Sequence, residues 1–155
     1  MNDELFIEIY EKNKTSVFRI AFSYVKDREL AEDVLQNVFL KLYTAPPRNE
    51  SNLTGWLAVV TKNQCLDLLR SRKREREVLS DLKSDPLFHE EESTDVLALV
   101  DKLPEKYATV IRLFYYGGLR VKEIASALHI SENNVKKRLN RAREKLKNLI
   151  EEDAR

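Results

Sequence analysis

Apolar residues recur along this chain at intervals of three and four, the spacing of one helix face, and no run alternates as a half-buried strand would. Leu5, Phe6, Ile9 and Tyr10 outline a first short amphipathic helix. Val17, Phe18, Ala21, Phe22 and Val25 outline a second, from about Lys14. Lys26-Asp27 breaks the pattern, and Asp27 is a suitable cap for the next helix. The helix predicted over 28–43 carries Leu30, Ala31, Val34, Leu35, Val38, Phe39 and Leu42 on one face. Its other face shows Glu29, Glu32, Asp33, Gln36, Asn37 and Lys41. Three such helices make a small bundle. Ala45-Pro46-Pro47 ends the third, because proline lacks the N–H and clashes with the preceding turn. A polar loop over 44–54 comes next, and Thr54 can cap the helix after it. That helix, over 55–77, has Trp56, Leu57, Val60, Cys65, Leu66 and Leu69 as apolar positions, with Trp56 expected near its start as a core residue.

Residues 78–93 interrupt the periodicity. Ser80, Ser84, Asp85-Pro86 and His89-Glu90-Glu91-Glu92 read as a flexible linker, in which His89 has no second ligand at metal spacing. Beyond it, Val96, Leu97, Leu99 and Val100 begin a second unit. Pro104 can occupy a first helical position. Ala108, Val110, Ile111, Leu113 and Phe114 place a helix over 105–116, stopped by Gly117-Gly118. Ile124, Ala125 and Leu128 give a short helix face, His129 is a polar turn residue, and Ile130 plugs the turn. Ser131 then caps a long helix whose apolar stripe is Val135, Leu139, Ala142, Leu146 and Leu149. The fold class is therefore all-α: two small helical domains, 1–77 and 94–155, joined by the linker 78–93.

Net charge changes the picture little at +1, but its distribution changes it greatly. The helix after Ser131 carries seven cations (Lys136, Lys137, Arg138, Arg141, Arg143, Lys145 and Lys147) against Glu132 and Glu144. Asn133, Lys137, Asn140 and Glu144 lie opposite its apolar stripe, flanked by Lys136 and Arg141. A solvated bundle helix also carries charge. The preceding short helix, the tight turn, the small Ala125 that permits close approach and the serine cap point instead to a helix-turn-helix whose second helix enters the major groove of DNA. Arg70, Arg72, Lys73, Arg74 and Arg76 form a second basic cluster, separated from the first by acidic residues between 81 and 101. Two basic surfaces with an acidic spacer suit two contacts on one polyanion.

The single Cys65 cannot form an internal disulfide and reads as a small core residue. With no apolar run of transmembrane length and a polar, acidic N-terminus, a cytoplasmic protein without membrane insertion is expected. The chain offers no Gly-rich phosphate loop, metal-ligand cluster or histidine beside a nucleophile, so neither an enzyme nor a cofactor is expected.

In order along the chain, Asp27–Tyr43 (DRELAEDVLQNVFLKLY), Gly55-Trp56-Leu57 through Arg70-Ser71-Arg72-Lys73, Leu103-Pro104-Glu105-Lys106-Tyr107, Glu123-Ile124-Ala125 and Arg141-Ala142-Arg143-Glu144-Lys145-Leu146 resemble the bacterial RNA polymerase sigma factors of the small extracytoplasmic-function (ECF) group. The resemblance implies a region 2-like first domain, a region 4-like second domain and a factor that directs core polymerase to promoters. It implies that Glu32, Asp33, Gln36, Asn37 and Lys41 dock on the clamp coiled coil of core RNA polymerase. Carboxylates and amides on a rigid helix suit a basic partner helix. It further implies that the loop and the helix after it capture single-stranded bases of the downstream (−10) promoter element, through Arg48, Asn49, Ser51, Asn52, Lys62, Asn63, Arg70, Arg72 and Lys73. The last helix then reads the upstream (−35) element as duplex. Lys136, Lys137, Asn140 and Arg141 are its base-edge candidates, with Asn133 on the same face. Arg120, Lys122, Arg138, Arg143 and Lys145 are expected to hold phosphates. An anti-sigma factor is the further partner implied. The competing readings are a homodimeric helix-turn-helix regulator and an adaptor whose basic helix binds an acidic protein.

Overall fold

A computed structural model describes residues 1–48, 51–80 and 95–154. Among them the chain is helical throughout: α1 (Asp3–Val25), α2 (Arg28–Thr44), α3 (Leu53–Ser80), α4 (Asp95–Asp101), α5 (Glu105–Ile111), α6 (Val121–Leu128) and α7 (Glu132–Asp153). Most of the expected linker, 81–93, lies outside the described residues. Its first three positions continue α3 to Ser80.

The first departure from expectation is α1, one uninterrupted helix where two were predicted. The polar run Glu11-Lys12-Asn13-Lys14 does not break it. Asn13 turns inward, donating from Nδ2 to the Ile9 carbonyl at 2.9 Å, and Lys14 pairs with Glu11 at 2.8 Å. The helix ends where Lys26 adopts a left-handed φ of 55° and its N–H reaches the Phe22 carbonyl. Asp27 then caps α2, accepting from Leu30 N–H at 3.0 Å. The next helix is not capped by Thr54. Asn52 Oδ1 accepts from Gly55 N–H at 3.0 Å, while the Thr54 hydroxyl donates to Asn13 Oδ1 at 3.2 Å. An asparagine cap is physically equivalent, and the helix simply starts earlier.

Helices α1, α2 and α3 close over Val17, Ile20, Val38, Leu42 and Leu57, all fully buried. Trp56 packs against this core while staying half-buried. Cys65 is buried within it, and burial pushes its thiol up to about 12, opposed by the charge of Arg112. It is a core residue, as expected.

In the second half Val100, Val110, Leu113, Ile124, Val135 and Leu139 make the core. Past Ile111 the helix widens into a π-helical turn over Arg112–Tyr116, where Gly117 N–H reaches the Arg112 carbonyl at 2.9 Å. Gly118 takes a φ of +70°, the conformation for which glycine is suited, and the chain reverses into α6. His129 ends α6 with a left-handed φ of 58°, and Ser131 caps α7 by accepting from Asn134 N–H at 3.0 Å.

The two halves meet along a seam. The Ser16 hydroxyl donates to the Gly117 carbonyl at 2.7 Å. Asn52 Nδ2 donates to the Glu123 carbonyl at 3.0 Å. Asp101 pairs with both Lys26 and Arg112. The buried Arg112 guanidinium lies 4.1 Å over the Tyr24 ring.

Candidate polymerase and nucleic-acid surfaces

Three surfaces carry the predicted functional residues. The first is the outer face of α2. Ala31, Val34, Val38, Phe39 and Leu42 anchor the helix in the core. That fixes Glu32, Asp33, Gln36, Asn37 and Lys41 on the opposite side, all exposed. Among them stands Leu40, 60% exposed. A bare leucine within a polar ring has the anatomy of a protein-docking patch, an apolar centre with a charged rim. The polar pattern alone points to this face, without its apolar centre. The signal for that centre is Leu40 itself, which falls outside the apolar stripe.

The second surface runs from the loop into α3. Arg48 and Ser51 are exposed, Asn52 is half-buried, and Asn49 lies outside the described residues. Farther along α3, Asn63, Arg70 and Lys73 are exposed, while Lys62 and Arg72 are half-buried. Arg70 also makes an ion pair with Asp67 at 3.3 Å. From Asn52 to Lys73 this helix spans about 30 Å at the usual rise. The residues are thus strung along a track rather than gathered in one pocket, which suits an extended strand. Asn52 is committed twice within the protein, as cap and as seam contact.

The third surface is α7. Val135, Leu139 and Ala142 bury one face, leaving Asn133, Lys136, Lys137, Asn140 and Arg141 exposed. Arg138 is half-buried, its Nε donating to Asn134 Oδ1 at 3.3 Å. Arg143 donates from Nε to the Tyr115 hydroxyl at 2.7 Å and from a terminal nitrogen to Asn140 Oδ1 at 3.0 Å. Asn140 therefore faces outward chiefly as a donor. The adenine pairing expected of an amide needs that oxygen as well. Arg120 sits beside the start of α6 with its guanidinium on Glu123 at 3.2 Å, and Lys122 is exposed. Tyr115 was missing from the predicted site. Its signal was weak, a tyrosine in an apolar run.

Family profiles for Sigma-70 region 2 and Sigma-70 region 4 match residues 9–75 and 93–146. SigM of Bacillus subtilis, an ECF RNA polymerase sigma factor, is 35% identical over 152 residues, spanning 92% of this chain and 93% of SigM. The chain belongs to the ECF group of RNA polymerase sigma factors. SigV of the same organism is 31% identical, over 89% of this chain and 86% of its own. Two solved structures share the fold. One is RpoE of Bartonella quintana with the anti-sigma factor NepR, at a TM-score of 0.70 and 20% identity over 94% of this chain and 96% of RpoE. The other is CnrH with the cytosolic domain of CnrY, at 0.74 and 24% identity over 98% of this chain and 91% of CnrH. Nothing in these comparisons supports the homodimeric regulator. In this sigma factor the region 2 match covers α2 and most of α3, and the region 4 match covers α4 to α6 and most of α7. No helix among the described residues is long and apolar enough to cross a membrane.

Proposed function

We propose that this ECF sigma factor grips core RNA polymerase through the α2 face and places its two halves on the two promoter elements. Glu32, Asp33, Gln36, Asn37 and Lys41 make the polar rim of the clamp contact, and Leu40 its apolar centre. Arg48, Asn49, Ser51 and Asn52, followed by Lys62, Asn63, Arg70, Arg72 and Lys73 along α3, take the unpaired strand of the downstream element. Capturing flipped bases shifts the DNA toward the open form, so melting needs binding energy and no catalytic group. On α7, Lys136, Lys137, Asn140 and Arg141 meet base edges, and the remaining cations meet phosphates.

The observation that carries this reading is α7. Its cap and apolar stripe lock it against α5 and α6, while Lys136, Lys137 and Asn140 project from the opposite side of a helix that carries +5 over residues 132–149. The factor acts in the cytoplasm, as a transcription initiation factor and not as an enzyme. An anti-sigma factor is its proposed regulator, in keeping with the complexes in which RpoE and CnrH were solved.

Transcription in vitro with core polymerase, the full chain and a promoter library tests the proposal. Start-site selection dependent on the chain is expected. Asp33→Lys and Gln36→Arg should abolish association with core while the helical circular-dichroism spectrum persists. Undiminished association would remove the α2 face from the account. A chain that selects no start site with any bacterial core polymerase would remove the rest.

A further inference from the structure

Tyr107, in the first turn of α5, is buried apart from 6% of its surface, yet cations gather on it. Lys106 Nζ lies 5.0 Å from its ring centroid and Lys145 Nζ 5.7 Å. Arg141 lies one turn before Lys145 on α7, on the Tyr107 side of the helix. Arg141, with the nearby positive charge of Lys106, draws the tyrosine pKa below its ordinary value against the effect of burial.

The three cations are exposed. None makes an ion pair among the described residues, although Glu105 and Glu144 are sequence neighbours. A ring face and a phenol oxygen orient positive groups without neutralising them. Three like charges brought together repel one another unless an anion joins them. The contrast with Arg143 is informative. Two residues along the same helix, it faces the other flank, where Tyr115 and Asn140 take up its donors. Arg141 lies instead on the ridge Lys137, Arg141, Lys145, four residues apart, which leads from the proposed base-reading turn toward Tyr107.

We propose that Lys106, Arg141 and Lys145, oriented by Tyr107, form a cradle for one backbone phosphate of the upstream element, so that Arg141 fixes the register of α7 and reads no base. The proposal rests on the sigma-factor reading of α7. It narrows that reading by moving Arg141 from the base-edge set to the phosphate set. Tyr107 is a positioning residue: its ring backs the two lysines, and its hydroxyl faces Arg141.

The test uses holoenzyme assembled from core polymerase and the full chain, presented with promoters randomised across the upstream element. Retention is measured at several salt concentrations, together with base preference at each position. Arg141→Ala and Lys145→Ala should each lower retention roughly tenfold on every sequence, flatten the salt dependence by about one phosphate contact and leave base preference unaltered. Tyr107→Phe should give a smaller loss of the same uniform kind, and Tyr107→Phe with Arg141→Ala no more than Arg141→Ala alone. A neutral methylphosphonate at the cradled phosphate should erase the Arg141→Ala effect, whereas elsewhere the two losses should add. A changed base preference in Arg141→Ala, or unchanged retention in both alanine variants, overturns the cradle while leaving the sigma-factor reading intact. Wild-type holoenzyme that selects no promoter overturns the sigma-factor reading itself.

Discussion

The two surfaces proposed to meet DNA are held in opposite ways. On α7 the supports stand behind the readers. Tyr115 takes the Arg143 guanidinium, Arg143 holds Asn140, and Lys136 and Lys137 project freely. At the start of α3 the reader is part of the support. Asn52 caps the helix with its oxygen and gives its amide to the Glu123 carbonyl of α6. A DNA base reaching Asn52 would have to share its amide group with that carbonyl. Nearby, a Cβ at Gly55 would stand 2.9 Å from that of Ala127, too close without movement. The proposed duplex-reading surface is thus assembled in advance, and the proposed strand-capturing surface is partly enclosed by the other half. The polar contacts of the seam are where this contrast can be broken.

The largest effect is expected at Arg112. Its guanidinium is buried, paired with Asp101 and stacked on Tyr24, and its Nε has no hydrogen-bond partner among the described residues. Removing one member of a buried pair leaves the other uncompensated. Asp101 is partly exposed, which moderates the loss. Asp101→Ala should cost about 2 kcal/mol in urea unfolding. Arg112→Ala, which also opens a cavity beside Tyr24, should cost about 3 kcal/mol. If the seam couples the halves, the single transition should separate into two, read by tryptophan fluorescence from Trp56 and by circular dichroism from the whole chain. Arg112→Met fills the space without the charge and should recover most of the loss.

Next in size is Lys137. It is exposed, makes no ion pair among the described residues and lies opposite the buried stripe of α7. Lys137→Ala should weaken binding to the preferred upstream element by about 1–3 kcal/mol and relax base preference at one position, measured by holoenzyme retention. A uniform loss over all sequences would move it to the phosphate set. Because this surface needs no opening of the seam, the Lys137→Ala effect should be the same in wild-type and Arg112→Met backgrounds.

How far the sequence led depends on whether a residue obeys its local pattern. The course of α7, its serine cap, the Asp27 cap and the buried Cys65 derive from periodicity and local hydrogen-bonding chemistry, and all are present. Asn13 and Arg112 do not obey it. A polar residue in a charged run reads as a helix boundary, and an arginine in an apolar run reads as a solvent-facing interruption. Both are buried because partners distant in sequence satisfy them: Thr54 for Asn13, Tyr24 and Asp101 for Arg112. The seam is invisible for the same reason. Its contacts join Ser16 to Gly117 and Asn52 to Glu123, pairs with no spacing rule between them. The outward residues of α2 and α7 were readable as exposed faces, whereas Leu40 and Tyr107 take meaning only from what surrounds them.

A pH-dependent effect, absent at neutral pH, probes the core beneath the seam. Burial raises the Cys65 thiol from 9 to about 12, with Arg112 acting in the opposite direction. The Tyr24 phenol is also raised, first by burial and against the charge of Arg112. A raised folded pKa means that the folded state keeps its proton where the unfolded chain has lost it. The stabilisation is therefore complete below pH 9 and declines as pH climbs from 9 to about 12. The Cys65 share of that slope is at most about 1.4 kcal/mol per pH unit. Cys65→Ala should flatten the alkaline limb of the urea midpoint relative to wild type and leave neutral-pH alkylation, already slow, with no target.

The finest test separates the two duties of Asn52. Asn52→Asp retains an oxygen for the Gly55 N–H, so α3 keeps its cap. It removes the amide N–H that meets the Glu123 carbonyl and sets a carboxylate against that oxygen. The expected cost is about 1 kcal/mol, confined to the seam, since one hydrogen bond is exchanged for a repulsive contact. Hydrogen exchange should show faster exchange at the start of α6 and no change in the first turn of α3. Asn52→Ala removes both bonds and should accelerate both. The DNA readout runs the other way for the negatively charged variant: a looser seam exposes the loop, yet the carboxylate repels the phosphate backbone. Downstream-element capture by Asn52→Asp should therefore fall at low salt and recover as salt screens the repulsion. Unchanged exchange in α6 would show that the Glu123 contact contributes nothing to closing the seam, and the contrast between the two surfaces would then lose its physical basis.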